Sequence, residues 1–206
     1  PDLLGTQEAV ETQYEALVAG LPEMQIVGVA RDDGKRKGEW SALLFRPDRF
    51  ELIDSGTFWL SETPDVPGSR SWDSSLPRIC TWALLRDKQA GRELLCANTH
   101  LDHVGKIARQ ESARLIARKL PELARGAPVI LMGDFNAYED ESSYAALTSP
   151  LGGFIDTYRQ LNPTRGEDEL TYHAYTGKKN GSRIDYILHT NQLRTVEAQI
   201  MHTPAT

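Results

Sequence analysis

Four strand-like apolar runs, spread along the chain, each carry residues that can bind a metal ion or move a proton. In order, the runs and their polar residues are Leu3-Leu4 with Gln7-Glu8, residues 94–97 with Asn98-Thr99-His100, residues 129–132 with Gly133-Asp134-Phe135-Asn136, and residues 184–188 with Asp185. Side chains alternate between the faces of a strand, so Asn98 and His100 share one face, as do Asp134 and Asn136. Gly133 would allow a close approach or a bend beside Asp134. A strand can hold such groups rigidly, as catalysis requires.

Each polar residue also has a simpler interpretation. A strand-end Asp134 is commonly a helix cap or turn residue, and a lone His100 is commonly a hydrogen-bonded structural residue. Asp102 and His103 are expected to cap the following helix. The recurrence in four runs favours a shared site instead, because carboxylate and amide oxygens are the ligands that hard divalent cations prefer.

The apolar pattern predicts a mixture of helices and strands. Helices are predicted over residues 9–19, 106–123 and 138–147, the second with a buried stripe that includes Ile107. Residues 31–39 are predicted to be a polar turn. Residues 171–173 are expected to be an ordinary loop, with a substrate-side role for His173 as the alternative. Strands are predicted over residues 41–46, 50–60, 79–85, 94–101, 128–132, 182–188 and 195–201. Residues 61–77 are predicted to form a long surface loop, where Trp59 and Trp72 either stack on a base or sugar or anchor the loop to the sheet. Strands in hairpins with helices between them favour the α+β class.

Composition excludes several classes of protein. The chain has 206 residues and a formal net charge of −6, and no apolar run approaches the roughly 18 residues that span a bilayer. The negative charge argues against a broad basic face for a long polynucleotide, although a local patch stays open. Cys80 and Cys96 are too few for a disulfide framework. A disulfide between them and two reduced core thiols both stay open, with the thiols favoured.

At this point the sequence resembles the endonuclease/exonuclease/phosphatase superfamily, the deoxyribonuclease-I-like proteins. The resemblance rests on four motifs in order, which are Pro1-Asp2-Leu3-Leu4-Gly5-Thr6-Gln7-Glu8, Asn98-Thr99-His100-Leu101, Gly133-Asp134-Phe135-Asn136 and Arg183-Ile184-Asp185-Tyr186-Ile187. It implies a four-layered α/β/β/α sandwich of two mixed sheets flanked by helices. It also implies hydrolysis of phosphoester bonds that depends on Mg²⁺ or Mn²⁺.

The resemblance also implies a role for each motif residue. Glu8 is the expected metal ligand, and Asp134 is expected to activate or orient the attacking water. Asn136 would orient Asp134 and contact the phosphate, while His100 would stabilise developing charge on the phosphoryl group. Asp185 would position the other groups. The two expected substrate-binding residues are Arg78 and Asn98.

Two parts of the family pattern have no match here. These are an N-terminal strand ending in a metal-binding Asn and a C-terminal strand with a Ser-Asp-His motif. We therefore expect residues 1–206 to be a single domain truncated at both ends, with the activity of this chain alone left open. Localisation, cytoplasmic or exported, also stays open.

The substrate and two rival functions stay open. The expected substrate is a phosphate ester, which could be a nucleotide, a nucleic acid, a sugar phosphate or a lipid headgroup. The protein is expected to resemble a bacterial subgroup of the family. It is also expected to be a monomer. One rival is a dinuclear zinc hydrolase of the metallo-β-lactamase type, since His100-Leu101-Asp102-His103 resembles part of its H-x-H-x-D-H motif. Asn98 stands where that motif has its first histidine. The other rival is an inactive phosphate-binding module of the same fold.

Overall fold

The fold is described by a computed structural model covering residues 1–172, 174 and 176–201. Its elements, in chain order, are β1 (Leu3–Gly5), α1 (Glu11–Gly20), β2 (Gln25–Val27), β3 (Leu43–Phe45), β4 (Phe50–Trp59), β5 (Ile79–Asp87), β6 (Arg92–His100), α2 (Lys106–Ala124), β7 (Val129–Asp134), α3 (Ser142–Thr148), β8 (Phe154–Asp156), α4 (Thr157–Leu161) and β9 (Asp185–Thr190). No helix in this described part is long and apolar enough to cross a membrane.

The strands form a small sheet and a large sheet. The small sheet has the order β1-β3-β2 with antiparallel pairs. The large sheet has the order β4-β5-β6-β7-β9-β8, in which β6 and β7 are parallel and the other neighbouring pairs are antiparallel. This mixed pairing places the ends of β6 and β7 at the same edge, beside the start of β9.

Three apolar clusters hold four layers together. Leu43 and Phe45 of β3 pack with Leu85 of β5 and Met132 of β7, which joins the two sheets. The outer face of the large sheet packs on α2 and α3 through a second cluster that includes Ile116. The third cluster joins α1 to the outer face of the small sheet. The predicted α+β sandwich with helices outside both sheets is therefore confirmed.

The start of α2 is capped from a distant part of the chain. Asp73, in the loop that precedes β5, accepts backbone N–H bonds from Ala108 at 2.7 Å and from Ile107 at 3.3 Å. A carboxylate at this position satisfies free N–H groups and complements the helix dipole. Asp73 thus fixes the long loop against α2. Ile107 was expected in the buried stripe of this helix, but it is 57% exposed.

Several predicted elements differ from the structure. Residues 195–201, predicted to be a strand, form none; residues 197–201 line the larger groove together with β1. The strand predicted over 182–188 begins at Asp185 and ends at Thr190. The helix predicted over 138–147 begins at Ser142. The elements β2, β8 and α4 were not predicted; each has three to five residues, too few for a clear periodic signal.

The two cysteines and Trp59 have structural roles. Cys80 and Cys96 are free and buried, and they belong to different apolar clusters on opposite faces of the large sheet. The thiol interpretation is therefore confirmed. Trp59 is buried and its indole N–H donates to the carbonyl oxygen of Arg31 at 2.6 Å, so this tryptophan anchors the chain instead of stacking on a ligand.

Candidate active site

Three adjacent strands of the large sheet place His100, Asp134 and Asp185 in one row. His100 ends β6 and is in register with Asp134 at the end of the parallel strand β7. Asp134 is in turn directly paired with Asp185 at the start of the antiparallel strand β9. The sequence predicted that these strand ends contribute to one site, and the register brings them together.

Gly133 permits the close approach that this row requires. Its φ is +149°, and a Cβ atom here would lie 2.0 Å from the carbonyl oxygen of Thr99 on β6. Any other residue would clash with the neighbouring backbone. The close approach expected at Gly133 is therefore present, and it places Asp134 beside His100.

Asp134 lies in an environment that disfavours its charge. Its Oδ1 accepts the backbone N–H of Asn136 at 2.7 Å, and its Oδ2 lies 3.6 Å from Nε2 of His100. Burial, followed by the charges of Asp185 and Glu8, raises the pKa of Asp134 to about 7. Burial is also the main reason that the pKa of Asp185 is raised. A carboxyl group with a pKa near 7 is suited to exchanging protons with a reacting water.

His100 and Asn136 form a hydrogen-bonded pair beside this carboxylate. Nδ2 of Asn136 lies 2.9 Å from Nε2 of His100 and donates to the carbonyl oxygen of Leu101 at 3.0 Å. An amide nitrogen only donates, so Nε2 accepts. Burial, and then the charge of Arg78, lowers the pKa of His100 to about 3. The imidazole is therefore neutral near pH 7.

Glu8 reaches the cleft from the other sheet. Its φ of +63° lies in the left-handed region, which is costly for a residue other than Gly and concentrates at functional sites. Glu8 is exposed and lies close enough to Asp134 and Asp185 for its charge to raise the pKa of both. The metal-ligating residue predicted from the sequence is thus near the carboxylate row.

Asn98 fixes the segment that leads to Glu8. It is fully buried, and its Nδ2 donates to the carbonyl oxygens of Thr6 and Ala42, at 2.9 Å each. Its Oδ1 accepts from the side chain of Gln7 at 2.6 Å. Both amide hydrogens are used within the chain, so Asn98 has no free donor for the substrate contact that was expected. It lies between the sheets and clamps the end of β1 above β6.

Arg78 presents a buried cation to the same cleft. It is 4% exposed; its Nη2 lies 3.0 Å from Nδ1 of His103, and its Nε lies 3.7 Å from Oδ2 of Asp102. Its Nε and Nη1 have no hydrogen-bond partner in the described part of the chain. Burial is the main cause of the lowered pKa of Arg78. Buried donors without partners are costly, so an anion such as phosphate would stabilise this site.

Asp102 is saturated by the chain itself. Its Oδ1 accepts the N–H groups of Val104 at 3.0 Å and Gly105 at 2.7 Å. Its Oδ2 accepts from the N–H of Ser75 at 3.0 Å and the hydroxyl of the same residue at 2.6 Å. The prediction that Asp102 caps the following helix is wrong: Val104 and Gly105 precede α2, and the N–H groups of its first turn donate to Asp73 instead. A dinuclear zinc site would need this carboxylate as a ligand, so the zinc-hydrolase alternative loses a second defining group.

These residues line one cleft of about 500 Å³. The cleft is lined by Gln7, Glu8, Glu39, Leu76, Arg78, His100, His103, Asp134, Asn136, Thr171, Tyr172, Ala174 and Asp185. A larger groove of about 1230 Å³ runs along β1, β7 and β9 and touches Asp185, but its lining lacks Asp134 and Arg78. The smaller cleft therefore holds the candidate chemistry.

The donor set of the cleft fits a hard divalent cation better than zinc. No three Asp, Glu, His or Cys side chains among the described residues converge into a ready-made metal cage. Mg²⁺ is held in proteins by one or two carboxylates together with waters and substrate phosphate, whereas zinc takes three or four protein ligands. The mutual repulsion of Glu8, Asp134 and Asp185, seen in the raised pKa of Asp134, would be relieved by a cation.

Some lining residues were missed by sequence reasoning. Glu39 lies in a segment predicted only as a polar turn, and Leu76 lies in the predicted surface loop. Thr171 and Tyr172 were expected to be ordinary loop residues. The Thr171 hydroxyl accepts the N–H of Asp185 at 3.2 Å, which ties this loop to the start of β9. None of these residues belongs to a recognisable motif, so no local signal marked them. His173, considered as a substrate-side histidine, lies outside the described residues.

Comparison with known proteins gives a family and solved relatives. Residues 1–206 match the model of the endonuclease/exonuclease/phosphatase family. A family protein from Bacteroides thetaiotaomicron is 42% identical, with a TM-score of 0.83, and the match covers 92% of this chain and 69% of that one. The mannosyl-6-phosphatase Bt3783 from Bacteroides thetaiotaomicron is also 42% identical, with a TM-score of 0.81 and coverage of 92% and 71%.

A curated relative is more distant and longer. Nocturnin from Mus musculus is 26% identical over 166 residues, which are 77% of this chain and 36% of nocturnin. The chain therefore spans about a third of the length of this curated relative.

Proposed function

This chain belongs to the endonuclease/exonuclease/phosphatase family, and on that premise we propose that it is a divalent-metal-dependent phosphoesterase acting on phosphate monoesters of sugars. The observation that carries the proposal is a buried Arg78, set beside the carboxylate row of Asp134 and Asp185. Two of its nitrogens have no hydrogen-bond partner among the residues that the structure describes. An anion-binding donor next to groups that can hold a cation and a water suits phosphoryl transfer.

In the mechanism, the chain's own residues bind the phosphate and handle protons. Arg78 binds phosphoryl oxygens. Asn136 holds His100 in place, and because both of its amide hydrogens are used within the chain it has no free donor for the phosphate contact that was expected. Asp134 accepts a proton from the attacking water, whose oxygen forms the new bond to phosphorus in line with the departing ester oxygen. The ester P–O bond breaks, and the leaving alcohol oxygen takes up a proton from solvent water. Asp185 helps to set the position and proton affinity of Asp134.

Glu8, together with the neighbouring carboxylates, would hold the Mg²⁺ or Mn²⁺. The cation would supply neutralisation of phosphate charge when bound. Asn98 acts here as a positioning residue for Glu8 through its bond to Gln7.

Two observations favour a sugar monoester as the substrate. A relative of 42% identity, which this chain matches over 92% of its residues, is a mannosyl-6-phosphatase. The net charge of −6 disfavours binding of a polyanion such as nucleic acid. A phosphodiester is the second candidate, because the family that the chain belongs to includes endonucleases and exonucleases.

Arg78→Lys tests the proposal. The protein is assayed with Mg²⁺ or Mn²⁺ against hexose 6-phosphates, p-nitrophenyl phosphate and bis-p-nitrophenyl phosphate. Loss of the planar, two-donor contact should lower kcat/KM by about tenfold or more, and the exposed Arg118→Lys should have no effect.

The proposal fails if the wild-type protein shows no metal-stimulated hydrolysis of any ester. Stronger activity on the diester would support the second candidate, and tight zinc with zinc-dependent turnover would support the zinc hydrolase.

A further inference from the structure

Glu39 is a cleft residue with no role in the chemistry described above. It lies in the turn that follows β2, and its backbone carbonyl accepts the N–H of Arg31 at 3.0 Å. Its side chain is 30% exposed and lines the cleft together with Arg78 and Leu76. A carboxylate here needs an explanation, because it lies in the cleft that is proposed to bind an anion.

The Glu39 carboxylate is held by a buried arginine. Nη1 of Arg31 donates to Oε2 of Glu39 in a short ion pair. Arg31 is only 8% exposed, and its own carbonyl is fixed by the indole N–H of buried Trp59. The support is therefore rigid, as is typical of groups that must recognise a ligand with fixed geometry. Oε1 of Glu39 makes no hydrogen bond within the described part of the chain, so one acceptor oxygen stays available.

The chemistry of this oxygen excludes the phosphate as its partner. An ionised carboxylate only accepts hydrogen bonds, and it repels phosphoryl oxygens. The charge of Glu39 is close enough to Arg78 to oppose the lowering of the Arg78 pKa caused by burial. A substrate whose phosphate is bound by Arg78 would therefore place a different, uncharged and donor-bearing part near Glu39. The hydroxyl groups of a sugar meet this requirement, and a second phosphate of a polynucleotide does not.

The rest of the cleft is compatible with a sugar. Tyr172 lines it and is 66% exposed, and Leu76 adds an apolar side chain. Amphipathic rings suit a ligand that has both C–H surfaces and hydroxyls.

We propose that Glu39, oriented by Arg31, is a specificity-determining residue that accepts hydrogen bonds from hydroxyl groups of the sugar in the substrate. The inference rests on the proposed phosphoesterase function and adds the group that reads the alcohol part of the ester. Arg31 is the positioning residue of this pair.

The experiment compares two substrates that differ in hydroxyl content. The kcat/KM for mannose 6-phosphate is divided by the kcat/KM for p-nitrophenyl phosphate, in the wild-type protein, Glu39→Gln, Glu39→Ala and the exposed control Glu62→Gln. Both Glu39 variants lose a hydrogen bond to the sugar hydroxyls, which p-nitrophenyl phosphate lacks. The ratio of the two kcat/KM values should therefore fall on the order of tenfold or more, chiefly through a higher KM for mannose 6-phosphate. The ratio should stay unchanged in Glu62→Gln. Arg31→Gln should lower the ratio as well, because it releases the carboxylate.

Four outcomes would decide against the inference. A ratio that is unchanged in both Glu39 variants would overturn it; if kcat/KM also falls equally on the two substrates, Glu39 has a structural role. A Glu39→Gln variant that needs a much higher Mg²⁺ concentration for half-maximal activity would make Glu39 a cation ligand instead. A wild-type protein that hydrolyses p-nitrophenyl phosphate but not sugar phosphates refutes this inference and leaves the phosphoesterase proposal standing, whereas no hydrolysis of either ester refutes both.

Discussion

Replacing Asp134 with Asn should stabilise the metal-free protein at neutral and alkaline pH while removing its activity. Asp134 is raised to a pKa of about 7 by burial and by the charges of Asp185 and Glu8. The folded protein therefore bears a cost for ionising this carboxyl group. An asparagine of nearly the same shape carries no charge and avoids that cost.

The sign and size of the effect follow from the two pKa values. In the unfolded chain Asp134 titrates near its ordinary value of 3.8, and in the folded protein near 7. Below about pH 4 the carboxyl group is protonated in both states, so the wild type and Asp134→Asn should have equal stability. Between the unfolded and the folded pKa the wild type loses stability as pH rises, and above pH 7 the loss is complete. A shift of about three pKa units corresponds to about 4 kcal/mol of unfolding free energy.

Urea unfolding with EDTA over about pH 4 to 8 would measure this difference. The Asp134→Asn protein should match the wild type near pH 4 and exceed it by up to about 4 kcal/mol near pH 8. Asp140→Asn, at an exposed position six residues along the chain, should show no such divergence. Saturating Mg²⁺ should reduce the difference, because a bound cation offsets the carboxylate charges of the wild type. A variant that is less stable than the wild type near pH 8 without metal would refute this reasoning.

Two further substitutions test how the site is held. Asn98→Ala leaves the buried carbonyl oxygen of Thr6 without its side-chain donor; it should lower the unfolding free energy by about 1–3 kcal/mol and weaken Mn²⁺ binding measured by calorimetry. An unchanged Mn²⁺ affinity would contradict the positioning role of Asn98. Gly133→Ala puts a Cβ atom 2.0 Å from the Thr99 carbonyl at a φ of +149°, so urea unfolding should show a loss of about 3 kcal/mol or more. Gly91→Ala, with φ +64° and open space around the Cβ position, should cost only about 1–2 kcal/mol, and equal losses would contradict the steric argument.

The sequence predicted the parts of the fold that long periodic runs encode. The strands β4, β5 and β6 and the helix α2 have nine to nineteen residues each, and all four were expected close to their observed positions. A three-residue strand such as β8 carries no periodic signal, and its existence depends on pairing with β9. The strand expected at residues 195–201 shows the converse error: alternating apolar residues do not by themselves supply the backbone pairing that makes a strand.

The row of catalytic candidates was predictable because each of its members lies at the end or the start of an apolar strand. The register that pairs Asp134 with both His100 and Asp185 was not, since the order of strands is a property of the whole sheet. Glu39 and Tyr172 lie in irregular segments where spacing gives no information about direction. These two residues are recognised as candidate site residues only in the folded structure, where the segments that carry them line the same cleft.

Asn98 shows what the alternation of side chains along a strand predicts correctly and what it does not predict. Period-two alternation placed it on the same face as His100, and the structure agrees, since both point toward the small sheet. Two residues along a strand are about 6.6 Å apart, and within that distance the environment changes from the covered interior to the open cleft. Asn98 is fully buried and bonded to Thr6 and Ala42, whereas His100 lines the cleft. Alternation fixes the face of a residue, but the extent of the covering sheet determines whether that residue holds the site together or belongs to it.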